Sequence, residues 1–579
     1  GTMTSDAKAI KAQSMLAIDL GTMSTRASLF DVVDGAYQFI ATGVSATTLE
    51  APLNDAPTGV FQAVQALQAI CGRKLLSGSR TLLQPVQPDG SGVDHLILTH
   101  SAGPRIKIAL AGLLDDFSLE SANRLISSLP GEVVEKISLS DLRPRAAQLD
   151  AVLEARPDLL LLAGGTEGGA SRSVYEMVEL AGLVCQVLRD SRKPVVMYCG
   201  NQALVENVED FLGRLTRIRI SPNLRPSLTE ENYGPALEVY SRIFSEIRLD
   251  QNHGLQEIAE KCSARPFPSA YAFGRMIRFL SQIYDPKQGV MGLDLGSAAL
   301  TAASARSGEL NLVTLPFGMG TGMETLLQKS KLEDIVRWIP FEMADSELQD
   351  RLYQISLRPH QIPSTAEGLA VSQAAARQAL RLGMQELTAR NGNLPYLCEP
   401  YLVTGSTLTQ TPNPMNAMLM LLDGIQPTGV TTFVLDQNNL MPQLGAAAQV
   451  NPLLPVQLLE SDAFQSLGTV ICPESRSRSG SDILRIRLEY EDGSSIKMEA
   501  QKGSLLRLPV RNGQEARVHI ETNRRTIIDP ISGAHSGSYQ VKGGACGVVI
   551  DTRGRPIRLP GDRKKRFALL QKWNQELGL

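Results

Sequence analysis

LAIDLGTMSTRASLFD, residues 16–31, and VMGLDLGSAALTAAS, residues 290–304, decide the reading of this chain. Each is an apolar strand, then Asp-Leu-Gly with a small hydroxyl residue, then a second apolar-rich run. A hairpin tip of this composition leaves backbone N–H groups free to wrap a phosphate. Its glycine lets that backbone approach closely. A single copy is also the sequence of an ordinary strand-turn-strand. Two copies, one in each half of a long chain, point to a duplicated phosphate grip.

A third element follows the second copy. Residues 401–409, YLVTGSTLT, are a buried strand breaking into Gly405-Ser406-Thr407. Behind it lies VTTFVLDQNNLMPQLGAAA, ending in the small residues Gly445, Ala446 and Ala447. In the first half, PDLLLLAGGTEGG at 157–169 reads as a central parallel strand emptying into a loop at its carboxyl end, where α/β sheets bind ligands. Strand-helix alternation through this half argues for an α/β fold. Residues 315–327, LPFGMGTGMETLL, are a glycine-rich turn into a helix that includes Gly320.

Composition narrows the class. The chain of 579 residues is 43% hydrophobic and 20% charged, with a net charge of -3. Nothing global points to nucleic acid or to a membrane. Its seven cysteines are scattered singly, which suits a reducing, cytoplasmic setting. Neither they nor the six histidines form a metal pattern. No membrane span or signal peptide is read from the N-terminus. Gly1-Thr2 ahead of Met3 is taken as a cloning remnant, and 1–14 as a tag or disordered segment.

The expected organisation is a first lobe at 15–215, a linking mixed segment at 216–288 and a second lobe at 289–460. A linker at 461–482 and a β-rich domain at 483–579 follow. The β assignment rests on period-two alternation in ILRIRLEYED and ARVHIETNRRTII. The tail from Arg553 to Arg566 holds seven Lys or Arg and one Asp, and is read as a solvated basic terminus before a final helix.

Taken together, LAIDLGTMSTRASLFD with IATGVSATTLEAP after it, PDLLLLAGGTEGG, YLVTGSTLTQTPNP and GVTTFVLDQNNLMPQLGAAA resemble the glutamate mutase L family over roughly residues 15–455. The resemblance implies a two-lobed actin-like, Hsp70-like ATPase fold built from duplicated ribonuclease-H-like lobes. It implies ATP or ADP with Mg²⁺ as ligands, and a reactivating, chaperone-like role beside an adenosylcobalamin-dependent glutamate (methylaspartate) mutase, whose subunits would be partners. Self-association is the other partner expectation. It belongs to the alternative reading, an actin-like scaffold or filament with weak or no hydrolysis. A small-molecule kinase of the same superfamily is a third reading, for which no substrate-side base is evident.

On that resemblance Asp19 would orient Mg²⁺ through its waters, and Gly21, Thr22, Ser24 and Thr25 would cradle phosphates. Asp294, Gly296, Ser297 and Gly320 would hold the other side, so that phosphate lies between Gly21-Thr22 and Gly296-Ser297. Gly405, Ser406 and Thr407 would meet the adenosine. Gly164, Gly165 and Thr166 would line the cleft, with Thr166 or Glu167 near the γ-phosphate; Asp19 and Glu167 are the catalytic candidates. The plain alternatives are structural turn aspartates and a tight strand-to-helix turn with an acid at a helix start. The second hairpin departs from the family pattern. Ser297 stands where a second glycine is usual, and Ala299, Leu300 and Thr301 stand where hydroxyls and an acid would follow. Slow or absent hydrolysis is therefore expected. His100 beside Ser101 is not a nucleophile pair, because neighbours on a strand point to opposite faces.

Overall fold

A computed structural model describes residues 13–579 apart from 51, 79, 114, 170, 360 and 391–396. The expected tag lies outside the described residues up to position 12. Ser14 already belongs to the fold, its amide donating to Asp94 Oδ2 at 3.0 Å. The chain divides into two compact units, one of residues 1–273 with 442–461 and one of 274–441 with 462–579.

The principal strands of the first unit are β1 (Met15–Leu20), β2 (Ser24–Val33), β3 (Ala36–Ala46), β4 (His95–His100), β5 (Ile106–Gly112), β6 (Gly131–Ile137), β7 (Leu159–Ala163), β8 (Val195–Tyr198), β9 (Ile218–Ile220) and β10 (Phe267–Pro268). They form two sheets. The first has the order β10-β4-β1-β2-β3. Strands β1, β2 and β3 are an antiparallel meander, while β4 runs parallel to β1 and β10 parallel to β4. Every residue of β1 is buried, as a central strand with both faces covered requires. Helix Ala56–Cys71 covers one face through Val60, Ala63, Val64 and Leu67, spaced as one helical stripe, and stops at Gly72 in the left-handed conformation. Leu16, Ile18, Leu20, Leu96 and Leu98 meet that stripe in one core.

The second sheet lies between β4 and β10 in sequence and is parallel throughout, with the order β6-β5-β7-β8-β9. Counted within the sheet this is second-first-third-fourth-fifth, a doubly wound order whose direction reverses between β5 and β7. The four consecutive leucines of β7 are its buried centre.

The second unit repeats the first meander. Its strands are β11 (Gly289–Leu295), β12 (Leu300–Arg306), β13 (Glu309–Leu315), β14 (Cys398–Thr404), β15 (Gly429–Asp436), β16 (Phe464–Cys472), β17 (Asp482–Tyr490), β18 (Ser495–Gln501), β19 (Leu505–Leu508), β20 (Glu515–Thr522), β21 (Gly537–Lys542) and β22 (Val548–Asp551). The large sheet runs β13-β12-β11-β14-β15-β16-β22-β19. Its first five strands have the order and directions of β3-β2-β1-β4-β10. Helices Ala366–Arg390 and Pro414–Ile425 pack into the core that this sheet shares.

Two expectations about the C-terminal region change. The stretch 461–482, expected as a linker, carries β16, whose register runs antiparallel to β15 and parallel to β22. The region after 483 is not a separate module. Strands β19 and β22 extend the large sheet, β18-β17-β20-β21 form a sheet of their own, and Thr526–Ile527 pairs with Glu474–Ser475. The physical reason is that alternation assigns faces to a strand but not its pairing partner.

In the basic tail Arg558, Arg563, Lys564 and Lys565 are exposed, as a solvated terminus would have them, but Arg553 and Arg555 are not. Arg553 is buried, and it bonds Asp423 Oδ1 at 2.6 Å and Asp551 Oδ2 at 2.9 Å. Arg555 bonds Asp551 at 3.1 Å, and Arg377 bonds Asp423 at 2.6 Å. The Arg553 guanidinium stacks 4.7 Å from the ring centroid of Trp573 in the last helix. An arginine cluster this well paired is a dock for the C-terminal segment.

Candidate nucleotide site

The two hairpins superimpose in register. In the first, Leu20 pairs with Thr25 and Asp19 with Arg26; in the second, Leu295 pairs with Leu300 and Asp294 with Thr301. Four residues turn the chain in each case, 21–24 and 296–299. Each turn is closed by the same bond, Gly21 N to Ser24 O at 3.1 Å and Gly296 N to Ala299 O at 3.0 Å. A Cβ on Gly21 would stand 2.6 Å from Ser24 O, so this position takes only glycine.

Asp19 is almost wholly buried. Its Oδ1 accepts from Thr99 Oγ1 at 2.6 Å and from Ser269 Oγ at 2.7 Å. Burial pushes its carboxyl above the usual range, and the two hydroxyls and Arg26 pull it partly back. The described residues place no donor on Oδ2. A carboxylate with one oxygen held and the other open, in a site that resists ionisation, fits a hydrated cation, whose charge would restore the ionised form.

Thr25 is buried behind the turn, bonding Thr47 Oγ1 at 3.0 Å, and Thr47 Oγ1 donates to Gly21 O at 2.7 Å. Thr25 therefore braces the turn from inside, while Thr22 is exposed at the tip and Ser24 half-buried beside it.

In the second unit the brace is glycine. Gly320 N and Gly322 N donate to Ser297 O at 2.9 and 3.0 Å, and Met319 N donates to Gly296 O at 2.9 Å. A Cβ on Gly318 would meet Gly296 O at 2.4 Å, and one on Gly320 would meet Ser297 Oγ at 2.1 Å. The 318–322 loop thus lies backbone against backbone on the hairpin. Ser297 is turned toward this loop, its Oγ 3.4 Å from Thr321 N. The sequence showed the glycines of this loop, but a strap onto a turn twenty residues earlier is not encoded in local spacing.

Gly405 joins the same place. Its φ is +118°, and a Cβ would stand 2.1 Å from Leu295 O, so its backbone lies directly on the end of β11. Ser406 opens the short helix Ser406–Thr409, which also holds Thr407. Asp294, Gly296, Ser297, Gly320 and Gly405 are therefore brought together at the carboxyl ends of β11 and β14. Asp436 caps the next helix, accepting from Leu440 N at 2.9 Å and Met441 N at 2.8 Å.

Gly164, Gly165, Thr166 and Glu167 are elsewhere: they leave β7, in the parallel sheet, and not a strand of the sheet that carries Asp19. Gly164 and Gly165 take φ of +136° and +82°. Glu167 Oε1 accepts from Gln202 N and from Asn223 Nδ2, both at 3.0 Å. This loop lies at the carboxyl end of the strand where the sheet order reverses. Glu167 thus ties its loop to the loops that follow β8 and β9.

A sheet of the order third-second-first-fourth-fifth, present twice, with an Asp-x-Gly hairpin joining its first two strands each time, defines the actin-like ATPase fold class. Within that class, residues 15–463 match the family described as MutL protein, and the chain belongs to this family, glutamate mutase L. A relative called Protein MutL from Clostridium tetanomorphum is 23% identical over 300 residues, 51% of this chain and 58% of that protein. The alignment thus spans little more than half of the relative's length. Among solved structures, a nucleotide-free acetone carboxylase is 12% identical with a TM-score of 0.33, covering 84% of this chain and 81% of that one. A diol dehydratase-reactivating factor is 10% identical with a TM-score of 0.28, covering 77% and 99%. Xylulose kinase from Bifidobacterium adolescentis is 10% identical with a TM-score of 0.26, covering 78% and 94%. The fold class rests on the strand order, not on scores of this size. Among the described residues, no helix is long and apolar enough to cross a membrane.

Proposed function

We propose that this chain binds ATP with Mg²⁺ through its two hairpins and serves as an accessory, reactivating protein of an adenosylcobalamin-dependent glutamate mutase. The observation that carries the nucleotide reading is the shared register of Asp19-Leu20-Gly21 and Asp294-Leu295-Gly296. Glycine is required at the first turn because its Cβ position is filled by backbone, which leaves the turn's own amides to face a phosphate. Asp19 holds a hydrated Mg²⁺ through Oδ2, while Thr99 and Ser269 fix its rotamer through Oδ1. Thr22 and Ser24 add hydroxyls at the first tip. Gly405 supports a nucleoside by presenting bare backbone beside the second.

Hydrolysis is slow in this reading. Ser24 has Ala299 as its counterpart by register, so the second turn brings no hydroxyl there to order a water. The accessory role is supported by family membership. It is tested by inactivating a purified adenosylcobalamin-dependent glutamate mutase by prolonged turnover, then adding this chain, ATP, Mg²⁺ and fresh coenzyme. Recovery of mutase activity that needs both this chain and ATP is expected. Recovery equal without the chain contradicts the role, and nucleotide-dependent sedimentation of the chain alone would favour the scaffold reading.

A further inference from the structure

The second unit holds another convergence of charge, remote in sequence from its hairpin. A cavity of about 250 Å³ is lined by Lys329, Arg337, Arg381 and Asp334, with Gln426 and Ile557 on its wall. Three cations face one acid there. That acid is already engaged, Asp334 Oδ2 accepting from Lys331 N at 3.1 Å at a helix start. The Nε atoms of Arg337 and Arg381 are both buried without an acceptor. Among the described residues, no carboxylate pairs with either guanidinium. The nearby acids are spent, Asp423 on Arg377 and Arg553, and Asp551 on Arg553 and Arg555. Arg337 lies over the Trp338 ring at 5.3 Å, which fixes its plane. Burial, with Arg555 and Arg337 close by, pushes the Arg381 pKa down to about 10.

Both arginines are half-buried, and holding a buried Nε without an acceptor is costly, the more so with like charges placed together. Arg553 takes up the carboxylates of Asp423, in helix Pro414–Ile425, and of Asp551, and leaves these two arginines open. An anion relieves both penalties. Guanidinium forks match the oxygens of phosphate, and a dianion balances the surplus of three cations over one acid where a single carboxylate would not.

We propose that this cavity is an anion site for a small phosphate-bearing ligand, inorganic phosphate or a phosphate monoester, gripped by Arg337 and Arg381 with Lys329 at the rim. The site is independent of the nucleotide hairpins. Pro556 and Ile557 form part of its wall, so ligand binding also tightens the dock of the C-terminal region.

Calorimetric titration of the full chain with inorganic phosphate, and separately with glycerol 3-phosphate, tests it at constant ionic strength set by chloride. Saturable binding is expected, at least tenfold weaker in Arg337→Gln and Arg381→Gln and unchanged in Lys497→Ala, an exposed cation of β18 away from the cavity. Tighter binding of the ester identifies a metabolite site, and tighter binding of free phosphate identifies a phosphate site; both support the assignment. No saturable binding to the native chain, or equal affinity in both arginine variants, overturns it. Should the arginine variants fail to fold, Lys329→Ala at the exposed rim decides. A threefold or greater loss supports the site and an unchanged affinity overturns it.

Discussion

Thr99 and Thr404 occupy the same register position of the duplicated sheet, beside Asp19 and Asp294, and send their hydroxyls to different partners. Thr99 Oγ1 donates to Asp19 Oδ1 at 2.6 Å, whereas Thr404 Oγ1 donates to the Asp436 carbonyl at 2.8 Å. The duplication therefore preserves backbone and divides labour. The first copy fixes the Asp19 carboxylate, and the second uses its threonine to tie β14 to β15, next to Gly405.

Asp19 makes its unit less stable at neutral pH than an amide would. The folded carboxyl titrates above the ordinary value of 3.8 because of burial, so folding becomes less favourable as pH rises from that value through the raised one. Asp19→Asn keeps an acceptor for Thr99 and Ser269 and removes the charge. Thermal unfolding without ligand at pH 7 is expected to show a higher melting temperature for Asp19→Asn, with the gap closing toward pH 4. A lower melting temperature at pH 7 would show that the charge is already compensated.

His100 sets the acid limit of the first unit. Its Nε2 bonds Ser245 Oγ at 2.8 Å, and Ser245 Oγ donates to Pro266 O at 3.1 Å, which assigns the ring proton to Nε2. Nδ1 is buried without a partner. Burial, with Arg248 close by, pushes the His100 pKa down to about 3. The unfolded chain binds a proton near 6.5 and the folded one does not, so stability is full above 6.5 and falls as pH drops from 6.5 toward 3. The slope from this residue is about 1.4 kcal/mol per pH unit. Denaturant unfolding at pH 7.5 and 5 is expected to show this loss in the native chain and a clearly smaller one in His100→Gln.

Arg553 is expected to be the most sensitive position of the C-terminal segment. Arg553→Met leaves Asp551 and Asp423 with fewer partners in a dry interior, at a loss of roughly 3–5 kcal/mol. Urea unfolding of the second unit measures it. A loss below about 1 kcal/mol would mean that Arg377 and Arg555 carry both carboxylates unaided.

Ser297 alone does not set turnover. Its side chain faces the 320–322 strap, and the missing hydroxyl lies at Ala299, the counterpart of Ser24. Steady-state phosphate release by the native chain is expected to be slow, on the order of a hundredfold below a site that retains such a donor. Ser297→Gly is expected to change it less than tenfold. A larger rise would show that the serine itself blocks the reaction.

Much of this was legible before any coordinates, and the divisions are physical. Asp19-Gly21, Asp294-Gly296 and Gly405 were visible because turns are written locally, by glycine and its neighbours. The leucine run at 159–162 announced a buried strand for the same reason. Thr99 and Ser269 were not found, since they reach Asp19 from 80 and 250 residues away. The link from Arg553 to Asp423 spans 130 residues, and the charge run around it looked like solvent-facing sequence. Gly164 to Glu167 were correctly read as a loop after a parallel strand. Which sheet that strand enters is not written in the sequence, because five short strands carry no mark of their sheet. Phe464–Cys472 failed as a linker for a related reason: Ser466, Gly468 and Thr469 dilute a strand whose partners lie on both sides in the fold.

The most direct measurement is calorimetric titration of the full chain with ATPγS, with and without Mg²⁺, for the native protein and Asp19→Asn. The hairpin account predicts that Mg²⁺ tightens binding to the native chain. Asp19→Asn is predicted to lose at least tenfold in affinity together with that dependence. Equal affinity and equal Mg²⁺ dependence in the two proteins would contradict it.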